Sequence, residues 1–440
     1  MDWIQAIAVM LGGVVFLILI GMPVVMAFMT TNLLGALIFF GGEIGIMQMI
    51  RNLRPSVANY SMVPIPLFVL MGEIMLQTGM ARQSIDAIEK LISRVPGRLS
   101  IVAVLGGTSF AALSGSSVAN AAVVGRTLLP QMKSLGYASS MSIGPATAVG
   151  GIAVLIPPSA LAVILGSLAH ISINDLLLSG IIPGVMMTLA FLAYIVARCL
   201  LNPGLAPADP TPLDLSWSER LLPVVVNVLP LMLIFVAVVG SILAGVATPT
   251  EAAAVGVLAS VIAGLAYRKL TIPNFLRAFQ EALKFSAMIL FIICCSGTFS
   301  QILSFTGATQ QLTRFVIEGS NLSPMAIVIL MLGMLILLGC FMESASIIML
   351  TVPIFFPILT ALDVDVLWFG LMMMVALEIG LCTPPFGILL FVVQGVLAGR
   401  ASMGEIYRSV APYLLLQLAI LTLILVYPAT ISWLPDLLSK

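Results

Sequence analysis

The sequence predicts an all-α polytopic membrane protein built from two structural repeats, each carrying a re-entrant helical hairpin and a broken transmembrane helix. Three observations lead there. The chain of 440 residues is 61% hydrophobic and 8% charged, with a mean hydropathy of +1.20. A soluble domain would carry about a quarter charged residues, so lipid is the solvent here. A serine and proline pattern occurs twice, 227 residues apart. Ser117 precedes Pro130 by 13 residues and Ser344 precedes Pro357 by 13, and the pairs Pro157-Pro158 and Pro384-Pro385 each begin 27 residues later. Finally, one polar stretch at 201–221 separates an initial half, 1–200, from a second, 222–440.

Each element follows in order. Charge-free stretches at 3–42 and 134–174 are long enough for two passes each, since a span needs about 20 residues. No basic region precedes the initial apolar run and no small-residue cleavage site closes it, so 3–21 is expected to be a retained span. Residues 99–133 hold two short apolar arms around Ser114-Gly115-Ser116-Ser117, which fits a hairpin meeting inside the membrane at a polar tip. A kinked span with its serines bonded to the preceding turn is the alternative. The run at about 140–170 is interrupted by Gly150-Gly151 and Pro157-Pro158. Tandem prolines break a helix because they lack the amide donor and clash with the turn before them. Around Pro203, Pro207, Pro210 and Pro212, with Asp209, Asp214 and Glu219, the connector reads as extended chain outside the membrane. The second half repeats the design with a hairpin at about 323–360 and a broken helix at about 366–398. Thr78-Gly79 and Thr306-Gly307 correspond upstream of the two motifs.

Basic residues cluster at Arg82–Arg98, with Lys90 and Arg94, and at Arg268–Lys284, with Lys269 and Arg277. The positive-inside rule puts both on the cytoplasmic side. Interfacial amphipathic helices and ordinary loops fit them equally. The matched breaks favour an inverted pair of repeats, although the charge pattern alone does not establish it.

Several functions are excluded or disfavoured. A net charge of zero offers nothing to nucleic acid. No GxxxxGK[ST] sequence occurs, which argues against ATP-driven transport by this chain. Cys199, Cys294, Cys295, Cys340 and Cys382 form no metal-type array and read as small apolar side chains. His170 is the single histidine and reads as a local hydrogen-bonder. An intramembrane enzyme would need a nucleophile and base, and Ser117 has no histidine neighbour in sequence.

Paired breaks in two halves point to the midplane site of a secondary transporter. Unwound carbonyls and hydroxyls supply the oxygens that a dehydrated Na+ requires. The first candidate Na+ site is Ser114 and Ser117 with the carbonyls of Ala153, Ile156 and Pro158. Its mate is Gly339 and Thr383 with the carbonyls of Gly380 and Phe386. No buried arginine or lysine offers itself as a clamp, so an anionic substrate would rest on half-helix N-termini. Candidate contacts there are Ser116, Ser117, Asn120, Ser159, Glu343, Ser344 and Ser346. Among the few carboxylates deep in apolar runs, Glu343 is the sharpest and Glu378 is a functional suspect. For Glu73 and Glu251 a structural role between packed helices is preferred.

These motifs, together with Thr248-Pro249-Thr250-Glu251 and Gly380-x-x-Thr383-Pro384-Pro385-x-Gly387, resemble the large membrane subunit of tripartite ATP-independent periplasmic (TRAP) transporters. The resemblance runs along essentially the whole chain. It implies an elevator-type architecture of the wider ion-transporter superfamily, Na+ coupling, and import of an organic acid across the bacterial inner membrane. It also implies a small four-span membrane partner and a periplasmic substrate-binding protein. One departure stands out: Asn120 occupies a position where similar family members usually carry Asp. A stand-alone Na+/H+ antiporter or carboxylate symporter of the same superfamily is the competing reading.

Overall fold

The computed structural model describes residues 3–431 and 433, apart from Ser93, Arg94, Pro96 and 208–215. Arg94 of the first basic cluster, and Asp209, Pro210, Pro212 and Asp214 of the connector, lie outside the described residues. Among the described residues every regular element is helical, and seven helices are long and apolar enough to cross a membrane. Helices bond their own backbone, which a lipid-solvated chain requires.

The first half runs Trp3–Leu19, Val24–Phe39, Glu43–Val57 and Tyr60–Gln77. A corner at Thr78-Gly79 follows: Thr78 Oγ1 donates to the Ile74 carbonyl, and Gly79 adopts φ +71°. The short helix Met80–Leu91 leads into a hairpin of Arg98–Ser114 and Ser117–Ser134. Next comes the broken helix, with Ser139–Ala148, a 3-10 turn at Val149–Ile152, unwound chain over 153–159 and Ala160–Ala169. Ile173–Leu201 closes the half.

The second half has the same order. Trp217–Leu243, Pro249–Ala266 and Ile272–Phe305 lead to a corner at Thr306-Gly307, where Gly307 has φ +70°. A hairpin of Pro324–Gly339 and Ser344–Ala361 follows, then a broken helix of Val366–Leu381 and Ile388–Val396, then Met403–Val426. Both proline pairs contain a cis peptide bond.

The structure departs from the sequence expectation at two places. The polar connector ends early, because Ser216 and Glu219 form a reciprocal capping box that starts a helix at Trp217. The basic stretch Arg268–Lys284 makes no separate interfacial helix, since from Ile272 it belongs to one continuous helix of 34 residues. By element order its counterpart is the separate pair Glu43–Val57 and Tyr60–Gln77, parted at Ala58-Asn59. Met80–Leu91, which carries part of the other basic cluster, instead matches the segment after Gly307. The two clusters are therefore not equivalent in the repeat. An inverted pair of repeats accounts for this, since equivalent segments would then face opposite membrane surfaces and cytoplasmic charge would fall at non-equivalent places.

The centre of the molecule is the second broken helix, in which every residue from Trp368 to Leu381 is buried. At the periphery, Trp217–Leu243 and Pro249–Ala266 leave the large apolar side chains of Leu222, Leu233, Val236, Leu258 and Ile262 exposed.

Candidate functional site

Each hairpin tip presses on the break of its own half. Gly115 ends the first arm at φ +57°, and Ser116 caps the second by accepting from the Ala119 amide at 3.3 Å. A Cβ on Gly115 would stand 2.7 Å from the Pro158 carbonyl oxygen, so only glycine allows this approach. In the second half, a Cβ on Gly339 would stand 2.7 Å from the Gly380 Cα, and the reverse holds for Gly380.

Both tips also border one cavity of about 500 Å3. Ser114, Gly115, Ser116 and Ser117 come from the first tip and Glu343 and Ser344 from the second. Ala160 and Leu161 represent the first broken helix, Glu378 and Leu381 the second. The opposite wall carries Glu73 of Tyr60–Gln77 and Glu281, Phe285 and Met288 of Ile272–Phe305. Glu73, for which a packing role was preferred, faces this space. Glu251 does not: it accepts from the Thr248 amide and hydroxyl at 2.8 Å each, in a capping box.

Of the predicted substrate contacts, Ser116, Ser117, Glu343 and Ser344 line the cavity, and the Ser117 and Ser344 hydroxyls are buried without a hydrogen-bond partner. Ser159 is taken up in capping Ala160–Ala169, accepting from the Ala162 amide. Ser346 lies beside Glu343, 3.4 Å from its carboxylate. Asn120 turns away from the cavity wall and donates to the Val149 carbonyl at 2.9 Å.

The predicted ion ligands fall into two groups. Among the described residues, no N–H or side chain donates to the carbonyls of Gly339, Ala153, Ile156, Pro158 or Phe386, although all sit at the tips and breaks. Gly339, Ala153, Ile156 and Pro158 are buried, and buried backbone oxygens are ordinarily paired, so those four call for an outside partner, whereas Phe386 is exposed. The Gly380 carbonyl takes one bond, from the Thr383 amide at 2.9 Å, leaving a lone pair. Thr383 Oγ1 donates to the Ile379 carbonyl at 2.6 Å, which spends its proton and leaves its lone pairs for a cation. Oxygen donors of this kind fit a monovalent hard cation. No group of three or more His, Cys, Asp or Glu side chains that would suit a transition metal occurs among the described residues.

Sequence reasoning placed no function on Glu281, which lines the cavity. Glu281 was hidden among charges read as interfacial.

Residues 11–430 match the family model described as the tripartite ATP-independent periplasmic transporter, DctM component. The chain belongs to this family. It is similar to the C4-dicarboxylate TRAP transporter large permease protein DctM of Pseudomonas aeruginosa, with 34% identity over 86% of this chain and 87% of that one. A Rhodobacter capsulatus protein of the same description is 31% identical over 98% of this chain and 99% of its own length. In fold the DctM-family chain is similar to the Alcanivorax borkumensis YdaH transporter, with a TM-score of 0.64 over 87% of this chain and 88% of that one at 14% identity. As a member of a family of transporter permeases, it is a multi-pass protein of the inner membrane and one component of an ATP-independent system.

Proposed function

We propose that this chain is the permease through which an organic acid enters the cell, driven by Na+ and by elevator movement of the hairpins and broken helices against the peripheral helices. C4-dicarboxylates are the first substrates to test, given the relatives of that description. A periplasmic binding protein delivers the substrate, and a small four-span subunit completes the membrane part. The observation that carries the reading is the unpaired carbonyls at two tips and two breaks, together with the unpaired Ser117 and Ser344 hydroxyls on the one cavity that both tips share. The half-helices starting at Ser117 and Ser344 aim their positive ends there and are the favourable field for a substrate carboxylate, set against the four glutamates, Glu73, Glu281, Glu343 and Glu378, that share the lining.

Reconstitution with both partner proteins tests this. Uptake of labelled succinate should require an inward Na+ gradient and the binding protein. Uptake that persists in choline and collapses with a protonophore overturns Na+ coupling, and uptake without the binding protein overturns the tripartite reading.

A further inference from the structure

The helix that precedes each Thr-Gly corner turns the same face to a cavity. Thr78-Gly79 and Thr306-Gly307 lie 228 residues apart, and both glycines are left-handed, at φ +71° and +70°. Before the first corner, Val69, Gly72, Glu73 and Leu76 line the 500 Å3 cavity at the hairpin tips. Before the second, Gly297, Ser300, Gln301 and Ser304 line a different cavity, of about 640 Å3. The same offset of 228 relates each member of one set to its counterpart, so Gln301 corresponds to Glu73. The second cavity lies between Ile272–Phe305 and the hairpin arm Ser344–Ala361, which supplies Pro353 and Pro357. At one end of it, buried Ser296 donates to the Met349 carbonyl at 2.7 Å, the oxygen that Pro353 deprives of its helical donor. The other end adjoins a hollow of about 300 Å3 that shares Thr309 and Pro357 and holds Arg314.

The two cavities differ in charge and in the hydrogen bonds they offer. Four glutamates line the first, whereas no Asp, Glu, Lys, Arg or His lines the second among the described residues. Gln301 Oε1 accepts from Asn52 Nδ2, so the end of the amide left to the cavity is its NH2 group, a donor. The Ser300 and Ser304 hydroxyls also donate to nothing among the described residues. Thr298 and Thr306, on the same stretch, are instead spent on the Cys294 and Leu303 carbonyls. One face of the helix thus presents three unspent donors within two turns, and polar side chains inside a span mark a ligand path. A carboxylate brings the acceptor oxygens this face lacks and meets no fixed negative charge there. A cation would find no carboxylate to balance it. Arg314, in an exposed pair 3.9 Å from Glu318, gives the approach a positive group held only weakly.

We infer that Ser300, Gln301 and Ser304 form a receiving site on the periplasmic side, where a carboxylate of the substrate is held before it reaches the hairpin tips. The inference rests on the reading above, in which an organic acid is imported. Sidedness follows from the same helix. Arg277 and Lys284 mark the end that bears Glu281 as cytoplasmic, so the end that bears Ser304 faces outward. Ile289 on the inner cavity and Ser296 on the outer one are seven residues apart, roughly 10 Å of helix. The Ser296 bond to Met349 ties the hairpin arm to the helix on that stretch, so the arm must let go there for the two cavities to join.

The test is uptake by proteoliposomes that hold this chain with both partner proteins, with labelled succinate as the probe. Gln301→Glu is the decisive variant, because it repeats on the outer face what Glu73 is on the inner one. Its carboxylate still accepts from Asn52 but offers no N–H to the substrate. The half-saturating concentration of succinate-loaded binding protein should rise roughly tenfold, as for the loss of one hydrogen bond to a charged group. Inhibition by succinate sealed inside should not change, nor should attachment of the binding protein to the vesicles, measured by co-sedimentation. Ser300→Ala combined with Ser304→Ala should shift half-saturation the same way and serves if Gln301→Glu does not fold. Gln301→Asn, which keeps the amide on a shorter stem, should lose less. Natural half-saturation in Gln301→Glu and in the double serine variant reduces Gln301 to a tie for Asn52 and overturns this inference alone. A shift that follows lost attachment, or that is equal on the inner side, overturns it as well. Absence of binding-protein-dependent uptake by the natural protein overturns the transport reading with it.

Discussion

Gly339 and Gly380 meet backbone to backbone, so closely that a methyl group on either would lie 2.7 Å from the other's Cα. The contact joins the end of a hairpin arm to the last turn before Thr383-Pro384-Pro385. It determines how near the hairpin arm and the break, with their backbone carbonyls, can come.

Gly380→Ala should destabilise the protein by about 1–3 kcal/mol, the usual range for an extra methyl group in a packed interior. The obstacle is main chain, not the flexible end of a side chain, so relaxation will be poor. A lower melting temperature and weaker Na+ activation are expected. A variant with the natural melting curve and Na+ dependence would show that the hairpin and the break separate freely.

At the other tip, Gly115→Ala and Gly115→Asn distinguish dihedral strain from crowding. Asn tolerates the left-handed conformation better than Ala. Both add a Cβ that would lie 2.7 Å from the Pro158 carbonyl oxygen. Both should therefore lose Na+-dependent uptake at near-natural expression. Recovery by Asn alone would make the φ of +57° the governing constraint.

Thr383→Val removes one hydroxyl at nearly constant volume. If that oxygen ligates Na+, its loss should weaken binding by ~1.5–3 kcal/mol, as for a hydrogen bond to a charged group. The half-saturating Na+ concentration then rises roughly ten- to a hundredfold. The bond to the Ile379 carbonyl predicts instead a small stability loss with unchanged Na+ activation, which would remove Thr383 from the ion site.

Asn120→Ala leaves the buried Val149 carbonyl without its donor, at a cost of about 1–3 kcal/mol. Because Asn120 is not on the cavity wall, the apparent substrate affinity should hold while stability falls. A selective change in substrate preference at constant melting temperature would return Asn120 to the substrate site.

The hairpins and breaks were legible because membrane-length apolar runs tolerate so few glycines, serines and prolines that each one carries information. Gly115 and Ser116 announce a turn and a cap, and the proline pairs announce unwound chain. Chain direction was harder to read. Ser216 and Glu219 form a capping box that stands out only once their reciprocal bonds are seen, since prolines upstream suggest coil. Nor does sequence show which way a side chain turns within a helix. Asn120 and Ser117 are neighbours on one arm, yet one bonds the break and the other borders the cavity. Glu281 belongs to the site only because a helix that looked interfacial continues unbroken into the membrane.

That continuity has a mechanical consequence. A helix of 34 residues is roughly 51 Å long at 1.5 Å per residue, against a hydrocarbon core of about 30 Å. It is one stiff rod, able to carry bending load into the wall that holds Glu281, Phe285 and Met288. In the other half the same length of chain is jointed at Ala58-Asn59, so load applied there is released as rotation. Two halves alike in order thus differ in compliance, and the stiffer one carries the wall that holds Glu281.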